Sequence, residues 1–211
     1  MVAELSDTHV CLLNRYPVIE DHLLVVTRAF EDQSSLLTRA DFEALWMCLS
    51  ETDGLAFYNA GTLAGASQSH KHLQLVPLPS AGVEERFPIA GLIEESVAAG
   101  VITAVEQFDF RHALAHLALP CEPNGASAES LLSTYMQLRE QTGLSDDGQA
   151  YSLLATREWM LLVPRSSGAV EGVGINALGF AGSLFLSDAA QLRVVESLGL
   201  LEMLAAVSVP R

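Results

Sequence analysis

An α+β fold, with an antiparallel sheet and flanking helices, is predicted for this chain on three observations. Thr8–Asn14 and His22–Arg28 are apolar segments rich in β-branched residues, joined by the proline-bearing turn Arg15–Asp21. Tyr151–Thr156 and Trp159–Pro164 form a second, tighter hairpin around Arg157 and Glu158. Arg39–Asp53 and Ser127–Leu144 carry apolar residues at helical spacing.

The elements follow in order. After the first hairpin, whose His22 is expected at the strand start with its ring on the surface, Thr38 is a plausible N-cap with Asp41 three residues on. Phe42, Leu45, Trp46 and Leu49 make the buried stripe of the helix, with Trp46 a core residue, and Gly54 is expected as its left-handed cap. Leu55–Asn59 is a strand leading into the loop Gly61–Ala66, and then His70–Pro77 is a strand. Pro77, Pro79 and Pro88 mark a change of character. Residues 80–107 read as a connection with a helical stretch at Ile89–Ala98. Phe108–Leu117 reads as a strand placing Phe108, Phe110, His112, Leu114 and His116 on one face. Pro120–Gly125 is a loop, and the helix beyond it turns Leu131, Leu132, Tyr135 and Leu138 inward. The second hairpin echoes the first, suggesting a degenerate repeat, but carries no second His-x-His. Gly172–Ala177 is one more candidate strand, and Asp188–Leu198 and Leu201–Ala206 are terminal helices.

With 211 residues, half of them hydrophobic, the chain is one globule, divided as a first half 1–79 and a second half 80–211. No apolar run reaches the roughly 18 residues that span a bilayer, and no signal-peptide pattern opens it, so no membrane partner is expected. Cys11, Cys48 and Cys121 are scattered, as in a reduced cytoplasmic protein. The net charge of −15 argues against nucleic-acid binding, which draws on basic side chains. Ten arginines and a single lysine, Lys71, supply all the fixed positive charge.

That lysine lies in the stretch that concentrates the chemistry, Ser67-Gln68-Ser69-His70-Lys71-His72-Leu73-Gln74. On a strand, His70, His72 and Gln74 share one face, and Leu73 and Leu75 point into the core. The His-x-His pair has three readings. It is a pair of hydrogen-bonded surface histidines, or half of a metal site completed by His112 or His116, or a nucleophile with its supporting groups. Lys71 is either a charge near bound phosphates or, by alternation, a side chain on the opposite face.

Asn59-x-Gly61, Gly65-x-Ser67 and His70-x-His72-x-Gln74 fall within sixteen residues. Together they resemble the histidine-triad superfamily, in the nucleotidyltransferase branch where glutamine replaces the third histidine. The wording Gly65-Ala66-Ser67-Gln68, then His70-Lys71-His72-Leu73-Gln74, resembles the diadenosine tetraphosphate phosphorylase, or ATP adenylyltransferase, family. So do Thr156–Ser166, Asn176–Gly182 and the first hairpin. The resemblance implies phosphorolysis of diadenosine tetraphosphate by phosphate, giving ATP and ADP, with no cofactor and no metal. His72 would carry AMP, His70 would hold the motif's geometry, and Gln74 would bond a non-bridging oxygen. Asn59, Gly65, Ser67 and Gln68 would form the substrate site. Family members carry a segment before the first hairpin, so a shortened chain of weak or no activity is the alternative, beside a metal-binding protein.

Overall fold

A computed structural model describes residues 2–17, 19–78, 87–96, 102–117 and 125–211. Within them the α+β expectation holds. The first strands are β1 (Ala3–Glu4), β2 (His9–Leu13) and β3 (Leu23–Thr27), followed by α1 (Arg39–Glu51), β4 (Gly54–Ala60) and β5 (His72–Pro77). Then come α2 (Ala90–Ser96), β6 (Ile102–Thr103), β7 (Ala113–His116), α3 (Gly125–Gln141), β8 (Tyr151–Ala155) and β9 (Trp159–Pro164). A small ribbon, β10 (Ala169–Val170) with β11 (Val173–Gly174), a 3-10 turn at Ala177–Ala181, α4 (Ala189–Leu198) and α5 (Leu200–Val207) complete the order.

Nine strands form one antiparallel sheet in the order β1-β2-β3-β5-β4-β8-β9-β7-β6. The orders β2-β3-β5-β4 and β6-β7-β9-β8 are the same arrangement, with α1 and α3 each following the second strand of their group. The two groups meet at β4 and β8, where Phe57 pairs with Leu154. The hairpin β8–β9 therefore stands where β4–β5 stands, and not where the echo with the first hairpin places it. The turn chemistry of the two hairpins looks alike, but strand order is set by pairing partners.

The α1 end signals act as expected at one terminus only. Thr38 and Asp41 form a reciprocal capping box, a device stabilising a helix by about 1 kcal/mol. Gly54 does not cap the other end. The helix stops at extended Thr52, and the Arg157 guanidinium donates to the carbonyls of Leu49 and Ser50. Gly54 opens β4 instead. A Cβ there would lie 2.9 Å from the Val76 carbonyl oxygen and 2.6 Å from Leu75, so close strand approach is what requires glycine. Phe108–Leu117 is strand only from Ala113, because the His112 ring closes a turn. Its Nδ1 donates to the Phe110 carbonyl and its Nε2 accepts from the Val105 N–H. Two-residue β6 was too short to show in the sequence. Residues 79–86, 97–101 and 118–124, which include Pro79, the end of the expected Ile89–Ala98 helix, Cys121 and most of the 120–125 loop, lie outside the described residues.

The sheet separates two cores. On one face α1 and α3 pack over Val25, Tyr58, Leu73, Leu75, Leu153 and Leu162. On the other, β8 and β9 present Leu154, Leu161 and Val163 to Leu178, Phe180, Met203 and Leu204. Burying one such side chain contributes roughly 1.5–3 kcal/mol. Trp46 is core, as expected. On the face opposite α1 and α3, His72 and Gln74 of β5, beside Leu24 of β3, line a cavity.

Candidate active site

β5 begins at His72, two residues later than alternation from His70 implies. Its half-buried His72 and Gln74 enter a cavity of about 420 Å³, which Asn59, Gly65, Ser67 and Gln68 also line. Leu73 and Leu75 are buried on the opposite face, as the pattern requires. The structure thus brings together six of the seven residues expected at the site.

His70 is the exception. It forms an isolated bridge with Asp32, and its Nε2 lies 3.0 Å from Thr27 Oγ1 and 3.2 Å from the Ala29 carbonyl, with Phe30 against its ring. Alternation does not carry His70 into the cavity, because the regular ladder begins only at His72. What His70 gives the site is its backbone. Its carbonyl lies 2.8 Å from His72 Nδ1. A carbonyl only accepts, so Nδ1 carries the proton and Nε2 of the neutral ring keeps its lone pair. Burial lowers the pKa of His72, only partly opposed by that carbonyl.

Lys71 does not reach the cavity. It is fully buried on the α1 face, where Nζ donates to Asp41 Oδ2 at 2.8 Å, Glu31 Oε2 at 3.0 Å and the Leu36 carbonyl at 2.8 Å. His9 Nε2 lies 3.1 Å from Asp41 Oδ1. Burial works against the Asp41 carboxylate, but hydrogen bonds from His9, Lys71 and Thr38 and the lysine charge outweigh it and hold the pKa at about 2. The one lysine anchors the motif from behind.

His22 is not on the surface. It is buried and lines the same cavity. Asn14 accepts the Tyr16 N–H through Oδ1, so its Nδ2 donates to His22 Nδ1, which leaves the proton on Nε2. That N–H has no partner among the described residues. Burial lowers the His22 pKa; Gln74 opposes this and the nearby His72 ring reinforces it. Pairing explains the placement: Leu24 of β3 lies beside Gln74, and Val26 beside His72.

Gly65 has φ +90°, and a Cβ on it would lie 2.9 Å from both Asn176 Cα and the Ile175 carbonyl oxygen. Its amide and that of Ala66 donate within the loop, to Thr62 and Gly61, so the glycine serves close packing of the cavity wall. The buried Arg165 holds this wall, bonding the carbonyls of Ala64 and Ile175. Asn59 Oδ1 accepts from the Ala177 N–H at 2.8 Å, tying β4 to the turn that brings Asn176 to the cavity. A second cavity of about 540 Å³ shares Ala66, Ser67 and Gln68 with the first and reaches Asp32 and Gln33. Asn176 and Gln33 are cavity residues that the sequence did not reveal, since both come from loops distant in the chain.

His112 and His116 do not complete a metal site. His112 is consumed by its turn, and His116 lies on β7, which β4, β8 and β9 separate from β5. Among the described residues no three His, Cys, Asp or Glu side chains are grouped to hold a metal ion.

The site is thus a sheet-borne histidine, its Nδ1 clamped by the His70 carbonyl, that lines a cavity together with Gln74, Asn59, Ser67 and Gln68. Residues 1–95 match the family profile described as the Ap4A phosphorylase N-terminal domain, and residues 106–210 that of the ATP adenylyltransferase C-terminal domain. Diadenosine 5',5'''-P1,P4-tetraphosphate phosphorylase 2 of Saccharomyces cerevisiae is 31% identical over 208 residues, covering 86% of this chain and 63% of the yeast protein. The crystal structure of a yeast Ap4A phosphorylase in complex with Ap4A is similar with a TM-score of 0.82 and 25% identity, over 97% of this chain and 75% of that one. The same yeast enzyme in complex with AMP gives 0.81 and 25% identity, over 98% and 75%. The chain belongs to the Ap4A phosphorylase family. It spans just under two thirds of the length of the curated yeast relative.

Proposed function

We propose that this protein cleaves diadenosine tetraphosphate with phosphate, giving ATP and ADP through an adenylyl-His72 intermediate. The observation that carries this reading is the 2.8 Å contact of His72 Nδ1 with the His70 carbonyl, which leaves the Nε2 lone pair for the cavity. Nε2 attacks the α-phosphorus, a P–N bond forms, and the bond to the bridging oxygen breaks as ATP leaves. Phosphate then attacks the same phosphorus, the P–N bond breaks, and ADP departs. Two moderate displacements replace one difficult one.

The ring turns cationic as the P–N bond forms, so the bond from Nδ1 to the His70 carbonyl strengthens in the transition state. Gln74 donates to a non-bridging oxygen, with Ser67 and Gln68 beside it. Among the described residues lining this cavity none is Lys or Arg, so phosphate oxygens are met by neutral donors.

The halves 1–79 and 80–211 read as a degenerate repeat with one surviving site. The pairings Leu24 with Gln74 and Leu114 with Leu161 make Leu161 the counterpart of Gln74, and Trp159 that of His72. Free, buried Cys11 and Cys48 fit a reducing cytoplasm, and among the described residues no helix is long and apolar enough to cross a membrane.

Incubation with diadenosine tetraphosphate without phosphate should add one adenylyl group to the peptide carrying His72, seen by mass spectrometry. Added phosphate should discharge it as ADP. An unmodified protein, or an adduct on another residue, would refute the reading.

A further inference from the structure

The ladder between β4 and β5 stops at the pair Phe57–Gln74. By the same register, Asn59 and His72 would pair two positions on, after Tyr58 and Leu73. In their place stands the side chain of Gln33, from the segment between β3 and α1. Its Oε1 accepts from the His72 N–H at 2.8 Å, and its Nε2 donates to the His72 carbonyl at 3.2 Å and the Asn59 carbonyl at 3.0 Å. The carboxamide acts as an inserted peptide group. Gln33 is itself held at both ends of its backbone: its N–H donates to the Ser69 carbonyl at 2.9 Å, and its carbonyl accepts from Tyr58 Oη at 2.5 Å. It is 2% exposed.

We infer that Gln33 is a positioning residue for the His72 nucleophile. The β4–β5 ladder ends before His72, whose backbone groups meet the Gln33 side chain instead. Without a partner, both backbone groups of His72 would be buried and unpaired, at a cost that favours a shifted strand or an admitted water. Gln33 satisfies both groups and fixes the backbone from which the His72 ring reaches the His70 carbonyl. The clamp on Nδ1 and the direction of Nε2 therefore depend on a residue that faces the neighbouring cavity and touches no reacting atom. This inference rests on the reading of His72 as nucleophile, and its tests separate the two.

Gln33→Met keeps the length and removes the amide; Gln33→Glu keeps an acceptor for the His72 N–H and loses both donors. Each is expected to slow adenylylation about 10–100-fold, with KM changed less than about threefold, because a misplaced nucleophile affects the chemical step. In both variants the His72 ring nitrogen NMR shifts should move. Wild-type rates together with unmoved shifts would overturn the inference. If the wild-type chain forms no adduct, the proposed function fails, and the shifts alone decide the positioning role. A third measurement needs no variant: the wild-type His72 amide should exchange slowly although it lies past the last β4–β5 pair, and rapid exchange would also overturn the inference.

Discussion

The Nδ1 of His72 donates to the backbone carbonyl of His70, two residues earlier on the same chain, at 2.8 Å. The contact uses main chain at residue 70, so the two histidines differ in what their side chains contribute. His72→Ala should abolish the adenylyl adduct in mass spectrometry, and free imidazole should restore some turnover to His72→Gly. His70→Ala keeps the carbonyl and loses the ring contacts to Thr27 and Ala29. It should slow adenylylation less than about 10²-fold, the scale of a misplaced nucleophile.

Gln74→Ala removes one neutral donor from a cavity with no cationic lining among the described residues. Loss of one such donor lowers kcat about 10²–10³-fold. Single-turnover quench kinetics should show a slower adduct that still forms.

Burial lowers the pKa of His72, so the neutral, nucleophilic ring persists to lower pH than for a free histidine. The acid limb of the adenylylation rate should lie below the usual value of about 6.5, with a flat profile above it. An acid limb at or above that value would contradict the burial of the ring.

Asp41, held at about 2, has its folded pKa below its unfolded one. The stability it contributes is therefore complete above about pH 4 and is lost as pH falls toward 2, amounting to about 2 kcal/mol. Urea unfolding should show that loss in the wild type. Asp41→Asn should lack it, and should be destabilised at pH 7 by about 3 kcal/mol because Lys71 loses a buried partner.

Gly65→Ala places a Cβ 2.9 Å from backbone at residues 175 and 176, at φ +90°. A cost of about 1–3 kcal/mol is expected in denaturant unfolding. Adduct formation should fall as well, since the same wall carries Ala66, Ser67 and Gln68.

Much of this was legible in the chain because it is local. Period-two alternation over Leu73 and Leu75 identified the buried side of β5, and the pattern around Thr38 and Asp41 identified the start of α1. The family resemblance carried by one short stretch named Asn59, Gly65, Ser67, Gln68, His72 and Gln74, and these residues line one cavity. Alternation misled at His70, where the regular ladder has not begun, and the capping signal misled at Gly54, where a helix end and a close strand contact ask for the same residue. By itself the sequence determined the α+β class, the motif strand and that strand's buried face at Leu73 and Leu75, since a strand's two faces follow from its own residue order. Only the tertiary structure decided that Lys71 enters a buried ion cluster, that His22 turns into the cavity and that Gln33 replaces a strand at His72. Each depends on which distant segment supplies the partner, and an isolated charge, ring or amide pattern carries no record of what it will meet.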